Sequence, residues 1–293
     1  MFGIGHIKMW AQELEAHKLL YDFKHFDPEP LVPNDGSTQV IVSLTTYGER
    51  LKTVDLAIKS ILANTMRPSR IILWLDEQTR GELPRGLVEL EEYGVEIRRG
   101  VENLRPHNKY FYTMKENPDA IIITVDDDVM YSRDTIASLL EGHKKHPNCI
   151  IARRVHKITW DMDSEQIDPY QEWEWEWRSS SEPRMDLLAT GVGGVLYPPR
   201  LLNYERLLDI EAIRSCCLRQ DDLWLKVNEV LSGVPVAWAR CRRVLPLEIP
   251  DTQNSSLNFD NVHKGQNDVV LHSVLHNLGL SDSEFIGLLR GEE

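Results

Sequence analysis

Apolar and polar positions change their period several times along the chain, and each change marks an element. From residue 39 the run QVIVSLTTYG is compact, β-rich and closed by a glycine, and residues 51–63 follow with Val54, Ile58, Ile61 and Leu62 at helical spacing. Strand then helix predicts a first βα unit. The alternation returns as RIILWLDE at 70–77, a helical stretch around 87–93, the short strand VEIRR, a helix around 109–115 and the fully apolar AIIITV at 120–125. Continuous apolar runs of this kind are expected of parallel strands buried on both faces. Residues 39–148 therefore read as a doubly wound, nucleotide-binding half whose ligands sit beyond the carboxyl ends of the strands.

Before this half, residues 7–23 carry a partial apolar stripe through Trp10, Leu14 and Leu19, and 27–36 form a turn-rich connector with three prolines. Residues 1–38 are expected to be an N-terminal helical extension. After Ile150 the alternation breaks into a polar insert at 156–184, a candidate lid or acceptor loop. LLATGVGGVLYPP then predicts a strand with glycines, and RQDDLWLKVNEVL a helix. Residues 149–250 make the second half of one domain spanning 39–250. The 251–293 tail follows the short strand-like VLPLEI and holds an Asn/Ser-rich loop and a helix near 267–278.

The chain has 293 residues, with 42% hydrophobic and 27% charged, the composition of a globular protein with a substantial core. Its net charge of −13 argues against a partner held mainly by nucleic-acid phosphates. Four cysteines at irregular spacing, Cys149, Cys216, Cys217 and Cys241, suggest neither a disulfide framework nor a zinc site, which fits a reduced, cytoplasmic compartment. No apolar run is long enough to span a membrane, so the expectation is a soluble or peripheral protein, in the cytoplasm or at the inner face of the membrane.

The strongest chemical signal is Asp126-Asp127-Asp128, set directly at the end of the buried strand IIITV. Three adjacent carboxylates repel one another unless a cation, water or a basic partner compensates them. Mn²⁺ or Mg²⁺ suits an open site at a strand end, because such ions take carboxylate oxygens and share the rest of their shell with substrate phosphates. A solvated acidic turn is the plain alternative.

Taken in order, SLTTYGER, the strand ending in DDD, GVGGVLYPP and QDDLWLK resemble the bacterial GT-A-fold glycosyltransferases, close to family 2 and to enzymes of capsule and lipopolysaccharide assembly. The resemblance spans residues 39–268. It implies an α/β, Rossmann-like GT-A fold with a mostly parallel central sheet and flanking helices. It also implies a metal held by the DxD pair, Asp128 as principal ligand and Asp126 sharing metal or ribose, with Asp127 beside the donor. Thr45, Thr46 and Tyr47 fall where the resemblance puts the nucleotide base and ribose, and Arg50 falls within reach of a phosphate. Asp76 would accept from base or ribose, or else cap a helix. Lys109 looks like the family's donor-pocket lysine. In NVHKGQND, His263 would complete the metal shell and Lys264 would hold the leaving diphosphate, with the tail closing over the donor.

Transfer to a hydroxyl needs a carboxylate base. Asp221, named first, and Asp222 are the candidates by resemblance to the acidic motif of inverting enzymes, although both would also serve as plain helix N-terminal residues. Gly191, Gly193 and Gly194 would leave room for an acceptor, or mark a bulge. Trp224, one turn after Asp221, is either a sugar wall or core. Trp173, Trp175 and Trp177 alternate with glutamates at period two, which would place three rings on one face as an acceptor platform or as packing. The expected partners are a nucleotide-diphosphate sugar, favouring UDP, and a glycan or glycolipid acceptor. A sugar-nucleotide pyrophosphorylase and a non-catalytic divalent-ion or carbohydrate-binding module are the competing readings, the first disfavoured because LTTYGER has one glycine where a Gly-rich phosphate loop would be needed.

Overall fold

The computed structural model describes residues 4–32, 38–241, 246–250 and 265–291. A seven-stranded sheet organises them. Its strands in chain order are β1 (Val40–Thr45), β2 (Arg70–Asp76), β3 (Val95–Val101), β4 (Ile121–Thr124), and then Ile150–Ala152, Val195–Tyr197 and Val236–Trp238. Across the sheet the order is β3, β2, β1, β4, Val195–Tyr197, Ile150–Ala152, Val236–Trp238. Every neighbouring pair is parallel except the two made by Val195–Tyr197, which runs against both β4 and Ile150–Ala152.

Side chains alternate between the two faces because a strand has a period of two. Ile41, Ile72 and Ile122 face one core, with Tyr110, Phe111 and Met114 from the helix Asn108–Glu116 and Leu223, Trp224 and Val227 from the helix Asp221–Leu231. Val42, Ile71 and Ile123 face the other, against Val54, Ile58 and Ile61 of the helix Val54–Leu62 and Ile136 and Leu139 of the helix Thr135–Lys145. Each fully buried Ile or Leu of these layers contributes about 1.5–3 kcal/mol by transfer alone. Both faces are covered, so the apolar runs are continuous.

The N-terminal helix runs Ile4–Lys24, three residues longer at its start than the sequence pattern suggests, and Phe23 packs with Leu56, Ala57, Met130 and Ile249. The helix around 267–278 is present as Gln266–Asn277, and a further helix, Asp282–Arg290, follows it. These last two helices hold the insert: the Tyr170 N–H donates to Asp268 Oδ1 at 2.7 Å and the Ile167 N–H to Asp282 Oδ2 at 3.2 Å. No helix among the described residues is long and apolar enough to cross a membrane. All four cysteines are free thiols.

Two expectations differ from the fold. LLATGVGGVLYPP is two strands rather than one: Leu187–Ala189 pairs with Val155–Lys157 outside the main sheet, and a 3-10 turn at Gly191–Gly193 separates it from Val195–Tyr197. Gly194 takes φ +87, the left-handed region that glycine enters without a Cβ penalty, and this closes the turn immediately before the second strand. The QEWEWEWR segment is no strand either. Tyr170–Glu172 forms a 3-10 turn after Pro169, and the indole N–H groups of Trp173 and Trp175 donate to the Asp168 and Tyr170 carbonyls, folding the segment on itself.

Candidate active site

Strand direction decides what meets at the edge of this sheet. The carboxyl ends of β1, β2 and β4 lie together, and the reversed strand Val195–Tyr197 brings its leading turn, Gly191–Gly194, to the same edge. The helix Asn108–Glu116 is fixed against the sheet by a buried polar chain: Ser43 Oγ lies 2.6 Å from Thr113 Oγ1, which also accepts the Trp74 indole N–H at 2.6 Å. Lys109 stands one turn before Thr113 on the same helix face. That seating delivers its ammonium to the end of β4.

There, Lys109 Nζ donates to Asp126 Oδ1 at 2.9 Å and lies 2.9 Å from Asp221 Oδ2. Burial pulls the Lys109 ammonium towards its neutral form, but Asp126, Asp221 and Asp222 outweigh it and hold its pKa well above the ordinary value. On the other side of the triplet Arg50 places one nitrogen 2.9 Å from Asp127 Oδ1 and the other 2.8 Å from Asp128 Oδ2. The guanidinium also lies 5.6 Å from the centre of the Tyr47 ring, a cation–π contact. The basic partners that the triplet requires are thus Arg50 and Lys109.

Among the described residues, these two cations do not balance the five carboxylates Asp126, Asp127, Asp128, Asp221 and Asp222. Burial, then the Asp126 carboxylate, pushes the Asp128 carboxyl up to about 7 despite Arg50, and burial likewise raises Asp127. Burial and the neighbouring Asp221 push Asp222 up to about 8. Asp221 is also buried, but Lys109 and the His107 ring bring it below the usual carboxylate range. An excess of hard oxygen ligands over basic side chains is the donor set that suits Mn²⁺ or Mg²⁺. Among the described residues no ready-made group of three His, Cys, Asp or Glu ligands is present, and His263 and Lys264 lie outside the described residues.

Gly191 is the centre of this arrangement, which the sequence did not single out over its neighbours. A Cβ there would lie 2.5 Å from Lys109 Nζ and 3.3 Å from both Asp126 Oδ1 and Asp222 Oδ1, and the Gly191 N–H donates to Asp222 Oδ1 at 3.1 Å. Gly193 and Gly194 serve the turn instead: a Cβ on Gly193 would lie 2.8 Å from the Arg154 backbone nitrogen. One tyrosine missed from sequence also borders the site. The Tyr131 hydroxyl accepts the Asp126 backbone N–H at 2.7 Å. Only the placing of Tyr131 five residues after Asp126 gave a local hint.

The remaining expected site residues divide. Thr46 is buried at the end of β1, Thr45 Oγ1 donates to the Trp74 carbonyl at 2.9 Å, and Tyr47 is 37% exposed. Asp76 Oδ1 accepts from the Gln78 and Thr79 N–H groups and the Thr79 hydroxyl, each at 3.0 Å, so it organises the turn after β2 rather than capping a helix. Trp224 does not border the site: it is fully buried in the core, and its indole N–H donates to the Leu207 carbonyl at 2.9 Å. Trp173 and Trp177 are buried too, and Trp175, 40% exposed, is the one ring of the three that a ligand can reach. The segment is folded rather than extended, and Trp173 and Trp175 both pack on the Tyr170 ring, at 4.7 and 5.6 Å between ring centres. Trp175 is braced by the His156 ring at 4.8 Å and by the Arg154 guanidinium at 6.0 Å, and Arg154 in turn donates to Thr190 Oγ1 at 3.2 Å beside Gly191.

A profile of the family described as glycosyl transferase family 2 matches residues 41–205, more than half of the chain and the whole run from β1 through the acidic triplet to the glycine turn. The chain belongs to glycosyl transferase family 2. It is therefore a glycosyltransferase, and its seven-stranded α/β sheet is the GT-A architecture. Among solved structures it is similar to the mannosyltransferase PcManGT from Pyrobaculum calidifontis in complex with GDP-Man and Mn²⁺, at 9% identity and a TM-score of 0.47, covering 92% of this chain and 82% of that one. It is also similar to S. aureus TarS residues 1–349 in complex with UDP, at 9% identity and a TM-score of 0.47, covering 87% of this chain and 70% of that one. No curated protein sequence matches. Family membership decides for transferase over the pyrophosphorylase and the non-catalytic module.

Proposed function

We propose that this glycosyltransferase moves a sugar from a nucleotide-diphosphate sugar, a UDP-sugar, to a hydroxyl of a glycan or glycolipid acceptor with inversion at the anomeric carbon. The observation that carries the proposal is the meeting of the acidic triplet, through Asp126, with the Asp221–Asp222 pair around Lys109 and Gly191. Asp126 and Asp128 would hold Mn²⁺ or Mg²⁺, which supplies charge neutralisation for the departing nucleoside diphosphate. Thr45, Thr46 and Tyr47 bind the base and ribose, and Lys109 is placed to hold a phosphate oxygen beside Asp126.

The two neighbouring aspartates take different roles because their surroundings push them apart. Asp221 is ion-paired with Lys109 and buried, so it orients that ammonium. Asp222 accepts a single backbone N–H from Gly191 and is pushed up to about 8 by burial and Asp221, which makes it the more basic carboxylate. We assign the general base to Asp222: its carboxylate takes the acceptor hydroxyl's proton as the new O–C bond forms and the nucleoside diphosphate leaves from the opposite face. This reverses the order in which the sequence names the pair. The acceptor lies towards Trp175, whose exposed ring offers the flat apolar surface that sugar faces stack on.

A thermal-shift screen of nucleotide sugars with Mn²⁺ tests the proposal. The cognate donor at 100 times its Kd stabilises by about 2.7 kcal/mol, and Asp128→Ala abolishes the shift. A shift retained in that variant removes Asp128 from metal and donor binding.

A further inference from the structure

Among the described residues, Arg50 is the one basic side chain that spans two members of the acidic triplet. Its two terminal nitrogens are split between two different carboxylates, Asp127 at 2.9 Å and Asp128 at 2.8 Å, instead of gripping one as a fork. All three side chains are largely buried, at 12%, 6% and 14% exposure, so solvent screens these pairs little. The third nitrogen, Nε, is buried and has no hydrogen-bond partner among the described residues. The guanidinium is thus engaged on one side and unsatisfied on the other. It rises from the 3-10 turn Gly48–Lys52 directly after β1, where Gly48 has φ +58, beside the Tyr47 ring.

We propose that Arg50 is a built-in stand-in for the divalent cation: it neutralises Asp127 and Asp128 before the donor arrives, yields Asp128 to the metal, and turns to the donor's diphosphate. The proposal rests on the metal reading given above. Its physical basis is competition for one carboxylate. A cation seeking Asp128 alone must displace a buried guanidinium, and the displaced group is left with unmet donors, so metal by itself binds weakly. When a diphosphate arrives with the metal, the guanidinium exchanges carboxylate for phosphate oxygens, which its donors fit equally well. Metal and nucleotide then help one another's binding by the same factor, as linkage requires.

Equilibrium binding of Mn²⁺ alone, followed by the loss of the free-ion paramagnetic signal, separates this role from a plain phosphate contact. The full-length chain is compared with Arg50→Met, Arg50→Lys and Asp128→Asn, and UDP affinity is then measured at saturating Mn²⁺. Arg50→Met is expected to bind Mn²⁺ alone at least tenfold more tightly than the unaltered chain and UDP at least tenfold more weakly, with Arg50→Lys between the two. Arg50→Lys keeps a positive charge in the buried site and carries the test if the Met variant does not fold. Unchanged or weaker Mn²⁺ binding in the Arg50 variants, with binding lost in Asp128→Asn, overturns the stand-in role and leaves the metal reading intact. Mn²⁺ binding retained in Asp128→Asn, or absent from every protein, overturns the metal reading and this inference with it.

Discussion

Lys109 reaches Asp221 across 2.9 Å and so ties the helix that precedes β4 to the helix that carries the proposed base. The same ammonium holds Asp126, so one side chain bridges the two acidic motifs. Removing it leaves Asp221 buried without its counter-charge. Lys109→Met is expected to lower stability by about 3–5 kcal/mol, and adding Asp221→Asn to recover part of that loss. Denaturant unfolding of the two single variants and the double variant measures the coupling; strictly additive losses would show that the contact carries no energy.

Asp221 and Asp222 are expected to separate in kinetics. Asp222→Asn should lower kcat by about 10²–10⁴ with KM for the donor little changed, because Asp222 meets the acceptor's proton and not the nucleotide. Asp221→Asn should instead raise the donor KM through a misplaced Lys109. Initial rates with varied donor distinguish them, and the opposite pattern would return the base to Asp221.

The glycines of the turn also differ. Gly191→Ala puts a methyl 2.5 Å from Lys109 Nζ, a side-chain end that two carboxylates pin in place, so activity should fall far more than stability. Gly193→Ala meets the Arg154 backbone at 2.8 Å and should destabilise by about 1–3 kcal/mol. Thermal unfolding beside turnover checks the contrast, and equal unfolding losses would refute it.

Trp175 and Trp224 make a second contrasting pair. Trp224→Ala empties a fully buried site and should cost about 3–5 kcal/mol of stability. Trp175→Ala, at a ring 40% exposed, should lose much less stability but raise the acceptor KM. An acceptor KM unmoved by the loss of Trp175 would remove the sugar platform.

His156 predicts an acid limb in stability. Burial, then the Arg154 charge, lowers its pKa from the usual 6.5 to about 3, so the folded protein binds this proton less readily than the unfolded chain. Stability from this group is complete above about pH 6.5 and is lost as the pH falls towards 3, at about 1.4 kcal/mol per pH unit. His156→Asn keeps an acceptor for the Glu176 N–H, which Nδ1 accepts at 3.0 Å, and removes the titration. Unfolding free energies between pH 7 and pH 4 should therefore fall less steeply in the variant; parallel curves would count against the assignment.

What could be read in the sequence was whatever a local pattern places. Asp126–Asp128 follow an apolar strand and Asp221–Asp222 begin an amphipathic helix, so strand-end and helix-start rules suffice to put them where they are. The strands Ile150–Ala152 and Val236–Trp238 have three residues each, too few for a period to register, and they are recognisable only through their partners. That Arg50 holds Asp127 and Asp128, or that Gly191 sits against Lys109, depends on contacts between residues dozens of positions apart. The tryptophan run misled because alternation in sequence implies one face only while the backbone stays extended, and Pro169 with the indole hydrogen bonds bends it.

The reversed strand Val195–Tyr197 has a consequence for how such a scaffold diversifies. Every other strand of the sheet arrives at the edge that carries the carboxylates, whereas this one departs from it, so the short turn that feeds it stands among them. Because Gly191 in that turn lies against Lys109, Asp126 and Asp222, lengthening or reshaping the turn would be felt by both acidic motifs at once. Diversification at this turn is therefore constrained by the carboxylates it touches.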